Sequence, residues 1–168
     1  MSETRKTPSP IADIRPNVAE LEYFTIPDAR VIGKGMRCSC DPGAPNLIPA
    51  FWDKCLGEGI KDVTDALPRL IPAMLGFTDD YDAKTNTFLY IISVLCPAGT
   101  PVPEGFVSRD IPACVVSKGR YGEWLDACKP VWARDGWQWN DGAGQCWNAE
   151  LYLDGESTDG FRLLCAVK

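Results

Sequence analysis

Ile26-Pro27-Asp28-Ala29-Arg30-Val31-Ile32-Gly33-Lys34-Gly35 and, further along, Ile111-Pro112-Ala113-Cys114-Val115-Val116-Ser117-Lys118-Gly119 are the two stretches on which the fold turns. Each carries an Ile-Pro step, then a β-branched run that ends in Lys-Gly. Proline lacks a backbone donor and fixes φ, so each stretch predicts a strand interrupted at its Ile-Pro step. Setting Val31-Ile32 against Val115-Val116 and Lys34-Gly35 against Lys118-Gly119 makes the second stretch a copy of the first.

The elements that follow each copy come in the same order. After the first, a helix is predicted over residues 47–56, capped by Asn46 and stopped by Gly57 and Gly59, with Leu47, Phe51 and Cys55 on one face. Pro68 and Pro72 allow only a short helix in residues 60–74, and residues 77–86 read as a hairpin loop. Thr87-Phe88-Leu89-Tyr90-Ile91-Ile92-Ser93-Val94-Leu95 is almost continuously apolar, as a strand covered on both faces should be. Pro97, Gly99, Pro101, Pro103 and Gly105 then form an irregular link. After the second copy, a helix is predicted over residues 121–134, with Tyr121, Trp124, Leu125, Cys128, Val131 and Trp132 as its apolar stripe and Pro130 as a kink. A loop at 141–144 leads to a closing hairpin with strands at 147–153 and 161–167. Strand, helix, strand, strand thus occurs twice, which points to an internal duplication. Residues 1–20 read as a flexible leader, and residues 21–168 as one domain with halves at about 21–97 and 106–168.

Composition narrows the function. The 168 residues carry 17 basic and 23 acidic side chains, for a net charge of −6, with no basic run. Phosphate binding needs concentrated Lys and Arg, so direct nucleic-acid contact is not expected. No apolar run approaches the roughly 18 residues of a membrane span, and the polar start lacks a secretion signal, so a cytoplasmic location and no membrane contact are expected. There is no histidine, and the 8 cysteines include no C-x-x-C pair. Most sit in apolar stretches and read as small buried hydrophobes; Cys38-Ser39-Cys40 alone is short of a metal set. No metal, cofactor or phosphate-binding loop is expected.

Two features carry chemistry. At a period of two, Trp147, Ala149, Leu151 and Leu153 share one strand face, which should meet a helix, while Asn148, Glu150 and Tyr152 share the other. In the first half Phe88, Tyr90 and Ile92 share a face, and the duplication sets Phe88 against Glu150 and Tyr90 against Tyr152. Half-sheets meeting side by side would gather Tyr90, Tyr152 and Glu150 in one groove. An unpaired carboxylate among rings gains from a ligand cation, which pairs with the charge and stacks on the rings at about 0.5–2 kcal/mol per ring. The alternative is a solvated Glu150, or one paired across the hairpin with Arg162. Trp132, Trp137, Trp139 and Trp147 also crowd together, and for Trp137 and Trp139 core filling and pocket lining stay open.

Ile26-Pro27, Val31-Ile32-Gly33, Trp52, Phe88-x-Tyr90, Ile111-Pro112-Ala113, Trp132, Glu150-x-Tyr152 and Val167-Lys168, in this order, resemble the gyrase-inhibitor-like effector-binding domains over about residues 21–168. The resemblance implies an α+β fold: duplicated β-α-β-β modules related by a pseudo-twofold, with antiparallel sheets forming a concave ligand groove and helices behind. Such domains serve as effector modules of AraC-type and MerR-type regulators, drug binders including integron-cassette proteins, and gyrase inhibitors; one branch hydrolyses cyclopropane-containing toxins. The family's ligand-contacting acid matches Glu150 and its groove tyrosine Tyr152. Trp52, Phe88, Tyr90, Trp132, Trp137 and Trp139 complete the expected ligand-binding set. Ala149 departs from the pattern, where a bulky apolar residue often precedes the acid, and implies a wider groove.

The leading expectation is therefore a binder of small apolar or aromatic molecules, above all lipophilic cations, with Glu150 as counter-charge. It would act by sequestration or by sensing, as a homodimer or with a separate regulatory partner. The alternatives are a hydrolase of electrophilic molecules using Glu150 and Tyr152, which a second carboxylate facing Glu150 would favour, and a protein-interaction module of the gyrase-inhibitor kind.

Overall fold

Pro27 and Pro112 cannot donate to a ladder, and at each the chain turns a corner. β2 (Glu22–Ile26) ends at the first corner and β3 (Ala29–Ser39) begins just beyond it; β6 (Val107–Ile111) and β7 (Cys114–Arg120) flank the second. The Asp28 carboxylate joins the corners by accepting a hydrogen bond from the Ala113 amide at 2.8 Å. A computed structural model describes residues 8–10, 21–120, 125–142, 145–154 and 162–168. Its other elements are β1 (Ser9–Pro10), α1 (Ile48–Gly57), α2 (Ile60–Asp65), β4 (Ala73–Asp82), β5 (Thr87–Pro97), α3 (Leu125–Arg134), β8 (Asn148–Leu153) and β9 (Arg162–Val167).

The strands form one sheet in the order β1-β2-β7-β9-β8-β4-β5-β3-β6. Among the described residues only β1, inside the expected leader, pairs parallel, with β2; the other pairings are antiparallel. Without β1 the order is the same from either end once the halves are exchanged, so that β2 answers β6, β7 answers β3, β9 answers β5 and β8 answers β4. The expected duplicated β-α-β-β architecture with its pseudo-twofold is borne out, with the axis between β4 and β8. Each half sends its first strand across a corner to the edge of the other half. Strands at opposite ends of the sheet are therefore tied by two-residue links, 27–28 and 112–113, and the sheet must curl into a half-barrel.

The curl decides what covers each face. The inner face holds Val31, Leu75, Phe77, Ile91, Leu95, Val116, Trp147, Ala149, Leu151, Leu164 and Ala166, all buried together. Among the described residues no helix residue belongs to this cluster, so the apolar face of β8 packs on the other strands of the curl and not on a helix as expected. Each fully buried aliphatic side chain there contributes about 1.5–3 kcal/mol. The helices stand on the outer face. Ile48, Phe51, Trp52 and Cys55 of α1 pack on Ile32, Met74, Tyr90, Ile92 and Val94. Cys128, Val131 and Trp132 of α3 pack on Tyr23, Val115, Leu163, Cys165 and Val167.

Several sequence expectations hold in detail. The Asn46 side chain accepts from the Ile48 amide at 3.2 Å, and Gly59 takes φ +84°, a value costly for other residues, where α1 gives way to α2. Leu47 leaves the expected stripe, being 54% exposed at the helix start. Tyr121 and Trp124, the 143–144 part of the loop and the 155–161 turn lie outside the described residues.

Two further expectations differ from the structure. The expected hairpin loop at 77–86 is largely β4, a central strand paired with both β5 and β8. Its acidic tail, Asp79-Asp80-Tyr81-Asp82, hides the apolar start at Met74-Leu75-Gly76-Phe77. The alignment of the two halves is also one residue out. Ile26 faces Cys114 and its counterpart Ile111 faces Ala29, so Ala29 corresponds to Cys114 and Val31 to Val116. A one-residue slip exchanges the two faces of a strand, which is why burial separates alignments that sequence alone leaves close.

All eight cysteines are free thiols. Burial pushes Cys114 up to about 11 and Cys165 higher still, as expected of small buried hydrophobes. No helix among the described residues is long and apolar enough to cross a membrane.

Candidate functional site

On the outer face, between the α1 and α3 clusters, β5, β4 and β8 run side by side. Alternation sends Tyr90, Gly76 and Glu150 outward while their chain neighbours Ile91, Leu75 and Ala149 enter the inner cluster. Gly76 stands opposite Glu150 on β8, and Tyr90 stands opposite Thr78 on β4. Tyr90 thus reaches Glu150 diagonally across β4, over a residue with no side chain.

The Tyr90 hydroxyl donates to Glu150 Oε2 at 2.7 Å, and the Tyr152 hydroxyl donates to the same oxygen at 2.9 Å. From α1, Trp52 Nε1 donates to the Tyr90 oxygen at 2.8 Å. With its oxygen accepting the indole proton, Tyr90 has its own proton directed at the carboxylate. Burial pushes the Tyr90 phenol far above its ordinary value, the Glu150 charge and hydrogen bond push it further, and the Trp52 N–H opposes them weakly. Tyr90 is therefore a standing donor through the neutral range. Trp52 meets Tyr152 edge-on, with ring centroids 5.0 Å apart at 68°.

Glu150 is half-buried, and both its hydrogen bonds fall on Oε2. Among the described residues no lysine or arginine pairs with it. The weighed cross-hairpin partner, Arg162, stands opposite Leu151, and its side chain lies outside the described residues; Leu163 is the residue opposite Glu150. The arrangement is an acid clamped from one side by two phenols within an aromatic frame.

Trp52, Tyr90, Glu150 and Tyr152 are thus brought together. Tyr90 and Glu150 meet for a reason other than the one expected. They lie on strands that are not equivalent, β5 and β8, and are joined across β4. Phe88, Thr78 and Asn148 occupy the next row on the same strand faces and line an open cleft of about 690 Å³ with Trp139, Asp79, Arg109 and Cys146. Trp139 also stacks on Trp132 (5.9 Å, 22°) and donates to Cys146 Sγ at 3.2 Å. Trp132 and Trp137 are buried under the second half. Trp132 donates to Ser117 Oγ at 2.9 Å, and Trp137 stacks on Tyr23 at 5.5 Å. No contact joins either to Glu150 among the described residues.

Gly76 escapes a reading for chemistry because it has none. Its signal is a lone glycine inside an apolar run, which marks close approach of another group.

No family model and no curated protein matches the chain. Solved structures do. SAV2435 bound to tetraphenylphosphonium superposes with a TM-score of 0.63 at 15% identity, over 89% of this chain and 94% of its own. A bacterial transcription regulation protein from Staphylococcus aureus MU50 gives 0.57 at 16%, over 89% and 98%. The C-terminal domain of EcmrR gives 0.53 at 16%, over 89% and 97%. An integron cassette protein from Vibrio cholerae gives 0.51 at 16% identity. At these identities the likeness is one of fold, and the duplicated, curled antiparallel fold implied by the gyrase-inhibitor-like resemblance is borne out; the acid stands on the face that α1 packs against, not on one with the helices behind it.

Proposed function

We propose that this protein binds lipophilic aromatic cations on the outer face of the sheet, with Glu150 as counter-charge and Trp52, Tyr90 and Tyr152 as the aromatic frame. The observation that carries this reading is a half-buried carboxylate fixed by two phenols, with no basic side chain paired to it among the described residues. The phenols occupy one oxygen and leave the negative charge for a ligand. A neighbour of the same fold, SAV2435, holds tetraphenylphosphonium, a cation of this class. Phe88 and Trp139 would extend the contact surface along the adjoining cleft. The protein acts by sequestration or by sensing for a separate regulatory partner. Both hydrogen-bond partners of Glu150 are phenols and neither is a second carboxylate, which supports binding over hydrolysis.

Tetraphenylphosphonium titrated against tryptophan emission tests the reading. Wild type should be quenched with micromolar affinity. Glu150→Gln keeps the shape and removes the charge. A unit-charge attraction of about 4 kcal/mol at 4 Å near a protein surface, reduced by desolvation, still predicts at least a roughly tenfold loss. Quenching indifferent to Glu150→Gln refutes the proposed counter-charge.

A further inference from the structure

The strand registers locate the pseudo-twofold at the candidate site itself. Val31 and its counterpart Val116 face Leu95 and Ala166, so those two correspond, and with them Ser93 and Leu164. Ser93 faces Leu75 and Leu164 faces Ala149, so Leu75 corresponds to Ala149 and Gly76 to Glu150. Gly76 and Glu150 also face each other directly across β4 and β8. The axis therefore passes through this pair: the acid of the site and the glycine opposite it are the same position in the two halves.

A Cβ on Gly76 would lie 2.1 Å from the Tyr90 oxygen, 2.8 Å from Tyr90 Cζ and 2.5 Å from Glu150 Oε2. All three are closer than non-bonded carbon contacts permit. The Tyr90 ring cannot step aside, being 1% exposed and held at its oxygen by both Trp52 and Glu150. Gly76 is absent from the residues with positive φ, so its backbone does not call for glycine. What it supplies is room. The Tyr90–Glu150 hydrogen bond runs through the volume a side chain would fill. A second acid on the axis would share a proton with Glu150 and leave the pair a single charge, so a symmetric pair would add none.

We propose that Gly76 is the positioning residue of the site: as the symmetry mate of Glu150 it must lack a side chain, so that Tyr90 can cross β4 and hold the single acid on the axis. The halves differ at the axis itself, and an asymmetric site stands between symmetric folds.

A double-mutant cycle between Gly76→Ala and Tyr90→Phe tests the proposal, first by urea unfolding without ligand. Gly76→Ala should destabilise the wild-type background clearly and the Tyr90→Phe background much less, because the nearest colliding atom is gone and the ring and the Glu150 carboxylate, no longer tied to each other or to Trp52 through that oxygen, can give way to the new methyl. A merely structural glycine would cost the same in both backgrounds, and that additivity overturns the proposal. If Gly76→Ala alone does not fold, Gly76→Ala/Tyr90→Phe must restore folding, and its failure to do so is equally fatal. Tetraphenylphosphonium affinity, which rests on the function proposed above, should fall at least tenfold in Gly76→Ala and change less than threefold when Gly76→Ala is added to Tyr90→Phe. If wild type binds no cation while the unfolding cycle is coupled, the functional reading fails and the positioning role stands.

Discussion

Replacing Tyr90 by Phe removes one oxygen and keeps the ring. That oxygen is buried and takes part in two hydrogen bonds, one donated to Glu150 Oε2 at 2.7 Å and one accepted from Trp52 Nε1 at 2.8 Å. A hydrogen bond to a charged group contributes about 1.5–3 kcal/mol and a neutral one about 0.5–1.5 kcal/mol. Trp52 and Glu150 are both partly exposed, so water replaces some of what is lost. We expect a net destabilisation of about 2 kcal/mol, the lower end of the sum, and a fall in Tm of about 4–8 °C for a chain of this size. Urea unfolding followed by tryptophan emission and far-ultraviolet circular dichroism measures it: the midpoint should fall with no change in slope. In a Trp52→Phe background Tyr90→Phe should cost about 0.5–1.5 kcal/mol less, since one of the two bonds is already absent. A loss below about 0.5 kcal/mol in wild type, or strict additivity with Trp52→Phe, would refute the hydrogen-bond chain as described.

Alkali tests the burial of the ionisable core. The Cys114 and Cys165 thiols and the Tyr23 and Tyr90 phenols are all raised above ordinary values of 9.0 and 10.0, with burial the largest cause. Each contributes stability that is intact below the ordinary value and is lost as the unfolded chain ionises above it. Urea midpoints should therefore hold to about pH 9 and fall from there, through the thiols first and the phenols next; a flat profile to pH 11 contradicts this burial. Trp132→Phe removes the bond to Ser117 and the stack on Trp139, so it should destabilise by about 1–3 kcal/mol while shifting tetraphenylphosphonium affinity less than about twofold. A large affinity loss without destabilisation would instead make Trp132 a ligand contact. Ellman's reagent should label the exposed Cys40 and Cys146 first and reach buried Cys55, Cys96, Cys128 and Cys165 only on unfolding; early labelling of Cys165 would contradict its place beneath α3.

Much of the scaffold is legible because it rests on local rules. The unbroken apolar run of β5 announces a strand covered on both faces, and the alternation in β8 separates Glu150 and Tyr152 from Ala149 and Leu151. The Asn46 cap and the Gly59 stop mark α1 because backbone donors at a helix start need acceptors and a positive φ favours glycine. β4 is not legible in the same way. Its second half carries three aspartates, its start follows Pro68 and Pro72, and only pairing on both sides makes it a central strand. Alternation likewise says that Trp147, Ala149 and Leu151 are buried, but a sheet that curls on itself satisfies that pattern as well as a helix does.

The amino-acid sequence by itself determined that two related strand-then-helix stretches occur, that the chain breaks strand pairing at Pro27 and Pro112, and that a carboxylate stands beside a phenol on one strand face. These follow from proline's missing donor and from side-chain periods, which act between near neighbours in the chain. Only the tertiary structure decided that the sheet closes into a half-barrel, that Tyr90 crosses β4 to reach Glu150, that Trp52 locks it there, and that Gly76 is the symmetry mate that leaves the room. Each depends on strand register between residues distant in sequence, and a shift of one residue sends every side chain of a strand to the opposite face.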